Sequence, residues 1–184
     1  MNESGNITQR VFDQIAQTYT MQKRFDKSLE FFGRSETVLS EVIRLDEGNT
    51  EAQVDKFNLI LRIGETETEN GQYERAENTF RRALNFARSA PKLKEPPYTF
   101  YTFGLYQEDV SFNKRAQAEK DLRLPKQERL KLLEQAITGF QGSLEIWKEK
   151  IVELEEFGIN EEKIKDTENR LSQCEKLAEQ IRKL

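Results

Sequence analysis

Two stretches of this chain repeat one another at a spacing of 48 residues, and that spacing limits the folds open to it more than any other feature. Phe12, Ile15, Ala16, Tyr19, Phe25, Ser28, Phe32 and Ser35 stand where Ile60, Ile63, Gly64, Glu67, Tyr73, Ala76, Phe80 and Ala83 stand later, as in 64 − 16 = 48. Only Tyr19 and Glu67 differ in kind. A supersecondary unit used twice leaves this kind of trace, because each unit buries its apolar face against the next. Gly64 and Ala76 are small where two backbones approach, Ile63 and Phe80 are large where side chains interlock, and Gly71 suits a turn that needs positive φ. The pattern predicts paired antiparallel helices.

The first unit runs over about residues 7–46, with a long second helix from Phe25 through Val38, Val42 and Leu45 to the Asp46-Glu47-Gly48-Asn49 turn. The second covers about 50–90. A more divergent third, about 97–157, carries Phe100, Phe103, Gly104 and Gln107 in the first-helix frame and Ala136, Phe140, Ser143 and Leu144 in the second-helix frame. Those halves sit at offsets of 40 (104 − 64) and 60 (136 − 76), so a 20-residue insertion is expected, placed in a first helix prolonged through Arg115, Ala116 and Ala118 toward Leu122. Pro125 restarts the chain, since proline is tolerated in a first helical turn and not inside a helix. Phe157-Gly158-Ile159-Asn160 and then Glu161-Glu162 read as a stop, a capping Asn and an acidic first turn. The last helix, about 160–183, carries an apolar stripe of Ile164, Leu171, Cys174, Leu177, Ala178 and Ile181, which suits a capping element.

Composition narrows the function classes. There is no histidine, hence no imidazole base, histidine metal ligand or Ser-His or Cys-His nucleophile. Glu65 with Glu69 and Glu149 with Glu153 can be drawn as acid–base or metal-binding pairs, but among 33 acidic residues such spacing is that of a solvated helix face. No glycine-rich phosphate loop is present. The expectation is a chain without enzymatic activity, cofactor or metal. The 29 basic and 33 acidic residues are interspersed, without the clustered Lys and Arg that phosphate backbones require, so nucleic acid is not expected as a partner. No segment approaches the ~20 apolar residues of a membrane span, and Met1–Asn6 lacks signal-peptide character. The expectation is a cytoplasmic chain with no membrane partner. Cys174 stands alone on an apolar stripe and is expected to serve as a small buried hydrophobe.

Residues 8–91 resemble tandem tetratricopeptide repeats of a long kind, exceeding the ordinary ~34-residue period. The match extends more loosely to the end of the chain. Asp46-Glu47-Gly48-Asn49-Thr50-Glu51-Ala52-Gln53 followed by Ile63-Gly64 resembles the junction of long-period repeats attached to bacterial eukaryote-like serine/threonine kinases and related signalling proteins, although no kinase domain is present here. The resemblance implies an all-α fold, a right-handed α-solenoid of antiparallel helix pairs, with about seven helices including a C-terminal capping helix, forming one domain over 1–184. It also implies a scaffold or adaptor that binds a protein or peptide in a concave groove.

In that family the groove is lined by positions two, five, nine and twelve of each first helix. Here these are Arg10, Asp13, Gln17 and Thr20; Asn58, Leu61, Glu65 and Thr68; and Tyr98, Tyr101, Leu105 and Glu108. Asp13 stands where a carboxylate-binding repeat would need a lysine. Tyr98 and Tyr101 are expected either as exposed interface anchors, with Phe100 and Phe103 in the core, or as plain helix packing. Two further readings stay open. One is self-association into a homo-oligomer through the long helix after Pro125 and the final helix, which would leave Trp147, Ile151 and Leu154 partly exposed in the monomer; the other is a peptide-sensing regulator of a signalling enzyme.

Overall fold

The computed structural model describes the backbone of residues 3–184 and the side chains of residues 7–184, so the side chains of Met1–Asn6 lie outside the description. All regular structure among the described residues is helical. The chain divides into two compact units, Met1–Glu95 and Pro96–Leu184.

The N-terminal unit holds α1 (Glu3–Met21), α2 (Phe25–Leu45), α3 (Thr50–Glu69) and α4 (Tyr73–Ser89). Both interhelical turns are built alike. Lys23 donates to Thr20 O at 2.8 Å and Arg24 to Tyr19 O at 2.9 Å; 48 residues on, Gly71 donates to Thr68 O at 3.0 Å and Gln72 to Glu67 O at 2.8 Å. This six-to-one closure needs a left-handed residue just past the helix end. Gly71 supplies it at φ 74°, whereas Lys23 occupies the same region at φ 57°. Between the pairs, Asn49 caps α3 by accepting from the Ala52 N–H at 2.9 Å. The core gathers Ala16, Phe32, Leu39, Ala52, Leu59 and Ile63, with Leu29, Phe31, Val42 and Ile43 against it. At Gly64 a Cβ would lie 2.4 Å from the Phe80 ring, so this close crossing excludes even alanine without repacking.

The C-terminal unit holds α5 (Tyr98–Lys120), α6 (Lys126–Glu149), the one-turn α7 (Ile151–Leu154), a 3₁₀ turn at Glu155–Phe157, and α8 (Glu161–Lys183). The eighth α-helix among the described residues, one more than the sequence suggested, arises because the run after Pro125 breaks at Lys150. Asn160 caps α8 through the Lys163 N–H at 3.0 Å, and Pro125 stands at the N-cap of α6, both as expected.

The third-unit frame is displaced. Gly104 faces Trp147, whose ring would sit 2.3 Å from an added Cβ, and Ser143 Oγ donates to Gly104 O at 2.9 Å. Ser143 and Trp147 thus take the places that Ala76 and Phe80 hold opposite Gly64, two helical turns beyond the expected Ala136 and Phe140. In a hairpin, residues lengthening one helix before the turn must be matched after it, so the prolonged α5 pushes its partners down α6. Ala136 and Phe140 instead pack with Cys174, beside Phe112, Ile137 and Leu171. Leu133, Ala118, Ala178 and Ile181 extend that seam, so α8 covers the outer face of the α5–α6 pair. The Cys174 thiol is buried, and burial raises its pKa to about 11.

Candidate interaction groove

In the N-terminal unit α1 and α3 are joined along a polar seam. Arg10 meets Glu51 at 3.1 Å and Arg62 meets Asp13 at 3.1 Å. Gln17 donates to the same Asp13 oxygen, Oδ2, at 2.9 Å, and the Thr20 hydroxyl pairs with Ser28 at 2.6 Å and lies 3.4 Å from Thr66. Asp13 is only 8% exposed, and its Oδ1 has no hydrogen-bond partner; Arg62 Nε likewise has none. Asp55, one turn past Glu51 on α3, has its pKa raised, first by burial and then by the neighbouring Glu51 carboxylate, with Asp13 adding to the effect and Arg10 and Arg62 opposing it.

The seam opens at one end into a cavity of about 260 Å³ lined by Gln17, Thr20, Met21, Phe32, Arg62, Glu65, Thr66 and Glu69. Its character is divided. Phe32, 1% exposed, and Met21, 86% exposed, supply apolar surface, while Arg62, Glu65 and Glu69 supply charge.

Three residues anticipated from the sequence, Gln17, Thr20 and Glu65, line this cavity, and Arg10 and Asp13 belong to the seam leading to it. Asn58 is half-buried on α3. Leu61 and Thr68 are buried, Leu61 at 4% exposure and Thr68 with its hydroxyl donating to Gly64 O at 2.9 Å. The more accessible face at this end of α3 therefore passes through Arg62, Glu65 and Glu69 rather than through the expected Leu61, Glu65 and Thr68, with Thr66 buried at 2% exposure. Arg62, Met21 and Glu69 were not anticipated. The available signal was the charge stripe Glu51, Asp55, Arg62, Glu65 and Glu69 on an otherwise largely buried helix.

Of the two expectations for the tyrosines of the C-terminal unit, the geometry matches packing. Tyr98 meets the Phe157 ring edge-on at 5.2 Å, and Tyr101, 8% exposed, lies 4.8 Å from the same ring. They hold the segment after α7 against α5, which is the packing reading. Phe103 is 42% exposed rather than in the core, and Phe100 is half-buried beneath the Lys150 ammonium at 5.0 Å. Leu105 is half-buried, and Glu108 is buried where it accepts from Lys163 at 2.8 Å, with Arg170 at 3.6 Å. Trp147 and Leu154 are fully buried and Ile151 half-buried, so of the three side chains expected to be partly exposed for self-association only Ile151 is.

A second cavity in the N-terminal unit, about 390 Å³, is lined by residues of α2, α3 and α4, including Gly33, Glu36, Glu67, Arg75 and Arg82. Here Arg75 meets the buried Glu67 at 2.6 Å and Arg82 meets Glu36 at 3.3 Å, so its principal charges are paired. Of the carboxylate pairs noted in the sequence, Glu149 and Glu153 flank Lys150 at 3.2 and 3.4 Å, while Glu65 and Glu69 rim the first cavity. No helix among the described residues is long and apolar enough to cross a membrane. No protein-family model, curated protein or solved structure matches this chain.

Proposed function

We propose that the N-terminal unit is a two-repeat array of tetratricopeptide type acting as a noncatalytic scaffold, and that the groove between α1 and α3 holds a segment of a protein partner. The observation that carries this reading is the coincidence of the 260 Å³ cavity with Gln17, Thr20 and Glu65, positions on which repeats of this type present ligand-binding side chains. An apolar floor with convergent polar groups is the usual make-up of a recognition pocket. At this size the cavity falls below the ~300 Å³ at which drug-sized ligand sites begin, so it suits one side chain of a longer chain better than a cofactor.

The test is selection from a displayed library of random peptides on the full chain and on Gln17→Trp, whose ring would occupy the cavity from an exposed helix position. Enrichment on the wild type that the variant loses supports the groove. Equal enrichment on both moves binding elsewhere, and no enrichment on either overturns the reading.

A further inference from the structure

Because the two N-terminal helix pairs share one frame, the second pair shows what the matching face of the first is built to hold. In the second pair Leu59, Ile60, Ile63, Glu67 and Thr79 are all buried. Leu59 and Ile63 pack in one cluster with Phe32 and Leu39 of α2, while Glu67 and Thr79 line the 390 Å³ cavity with Leu29 and Glu36 of α2. Arg82 closes that contact on Glu36 at 3.3 Å. The positions 48 residues earlier are Val11, Phe12, Ile15, Tyr19 and Phe31. They are more apolar than their counterparts, and the Phe31 ring joins those of Phe12 and Tyr19, at 6.1 and 5.6 Å, into one surface. Yet Val11 is 48% exposed and the other four are half-buried. Contiguous large apolar residues left partly in water, at positions whose repeats are covered, mark a docking face.

The charges around this face specify its occupant. Arg34 lies over the Phe31 ring at 4.9 Å, and Arg24 and Lys27 lie over the Tyr19 ring at 4.6 and 5.6 Å. Arg34 is the counterpart of Arg82, whose carboxylate partner belongs to the preceding helix pair. Here Arg34 instead meets Glu30 of its own helix at 2.6 Å with both side chains more than half exposed, whereas the second pair has Asn78 in the place of Glu30. A solvated pair of this kind contributes little and is readily exchanged. We propose that the face of Val11, Phe12, Ile15, Tyr19 and Phe31 docks an amphipathic helix of a partner protein, whose apolar residues flank a carboxylate that Arg34 binds. Its pattern is that of the α2 edge covering the second pair, Leu29, Glu36 and Ile43, whose seven-residue steps keep them on one side of a helix. A basic helix would meet like charge at Arg24, Lys27 and Arg34. This face and the α1–α3 groove lie on different sides of α1, so binding at one does not require binding at the other.

The probe that tests this is a fluorescent peptide of the α2 sequence, Phe25–Leu45, held helical by a staple in place of its Arg34 and Val38, with binding to the full chain followed by anisotropy. It should bind the wild type, and bind about tenfold more weakly to Val11→Glu and to Arg34→Glu, both changes at exposed positions. A peptide carrying Glu36→Arg should reverse the order and bind Arg34→Glu better than the wild type. That exchange reports a direct contact, which a general loss of folding cannot imitate. No binding to the wild type, an affinity that Val11→Glu leaves unchanged, or an order that the charge swap does not reverse overturns the proposal. So does a chain that dimerises unaided and loses its dimer in Val11→Glu, because the occupant would then be a second copy.

Discussion

The two helix pairs of the N-terminal unit share a frame down to individual turn hydrogen bonds, yet they diverge in chemistry at one corner. In the first pair Tyr19 stacks on Phe31 at 5.6 Å, and its ring carries Arg24 at 4.6 Å and Lys27 at 5.6 Å. In the second pair the positions 48 residues on are Glu67, Thr79, Gln72 and Arg75, and the aromatic stack gives way to a buried carboxylate held by the Arg75 guanidinium and the Thr79 hydroxyl, each at 2.6 Å. One corner is apolar with cations laid over it; the other is a salt bridge beside a 390 Å³ cavity. The comparison teaches that the frame is fixed by the small–large crossing and the turn, while the corner accepts either chemistry, the buried Glu67 carboxylate being paired there although Gln72 Oε1 is not.

The largest test of that separation lies at the crossing. Phe32 and Phe80 are equivalent and both buried, at 1% and 0% exposure. Phe32→Ala and Phe80→Ala should each cost about 3–5 kcal/mol in urea unfolding. A Phe80→Ala chain with an unchanged melting temperature would show that the frame is wrong.

At the corner the expected costs differ. Arg75→Ala leaves the buried Glu67 carboxylate with only the Thr79 hydroxyl, and an under-satisfied buried group costs about 1–3 kcal/mol. Lys27→Ala removes an exposed cation from an aromatic face, worth about 0.5–1 kcal/mol. Equal losses of stability in the two variants would remove the distinction drawn between the corners.

The third contrast is the turn. Lys23 holds a left-handed backbone conformation that Gly71 adopts without steric cost. Releasing a non-glycine residue from that region is worth roughly 1–2 kcal/mol, and the greater freedom of glycine in the unfolded chain offsets about 0.5–1 kcal/mol of it. Lys23→Gly should therefore raise the melting temperature modestly and Gly71→Lys should lower it. A stabilising Gly71→Lys would contradict the shared turn.

How much of this was legible in the sequence follows from where each signal resides. Helix ends were readable because they depend on local groups: Asn49, Asn160, Pro125 and Gly71 each act within a few residues. The partnership of Gly64 with Phe80 was readable because the turn between them is short. Register in the long α5–α6 hairpin was not, since Gly104 finds Trp147 through two lengthened helices whose matching no single residue announces. For the same reason Tyr98 and Tyr101 were open to two readings, because Phe157, which they pack against, is remote in sequence. The groove was half visible. The family resemblance pointed to Gln17, Thr20 and Glu65, but the packing that buries Leu61 and leaves Arg62 half-exposed is set by tertiary contacts.

The smallest expected effect concerns charge on the groove side, where the two repeats differ again. Asp13 on α1 and Asp55 on α3 have the apolar Leu61 and Ile7 as their counterparts 48 residues away, so neither carboxylate belongs to the shared frame. Asp55 has a folded-state pKa above its ordinary value, chiefly through burial and then through Glu51. A carboxyl with a raised pKa binds its proton more tightly when folded, so its ionisation opposes folding as pH rises through the range between the unfolded and folded values. Asp55→Asn should accordingly stabilise the chain slightly at neutral pH, and the gain should shrink as the pH is lowered through the carboxylate range and the wild-type group takes up its proton. Thermal melts of the two proteins across that range decide it. A gain that instead grows toward acid would mean that Asp55 is held as a charged partner of Arg10 or Arg62, and the seam would then be balanced rather than acidic.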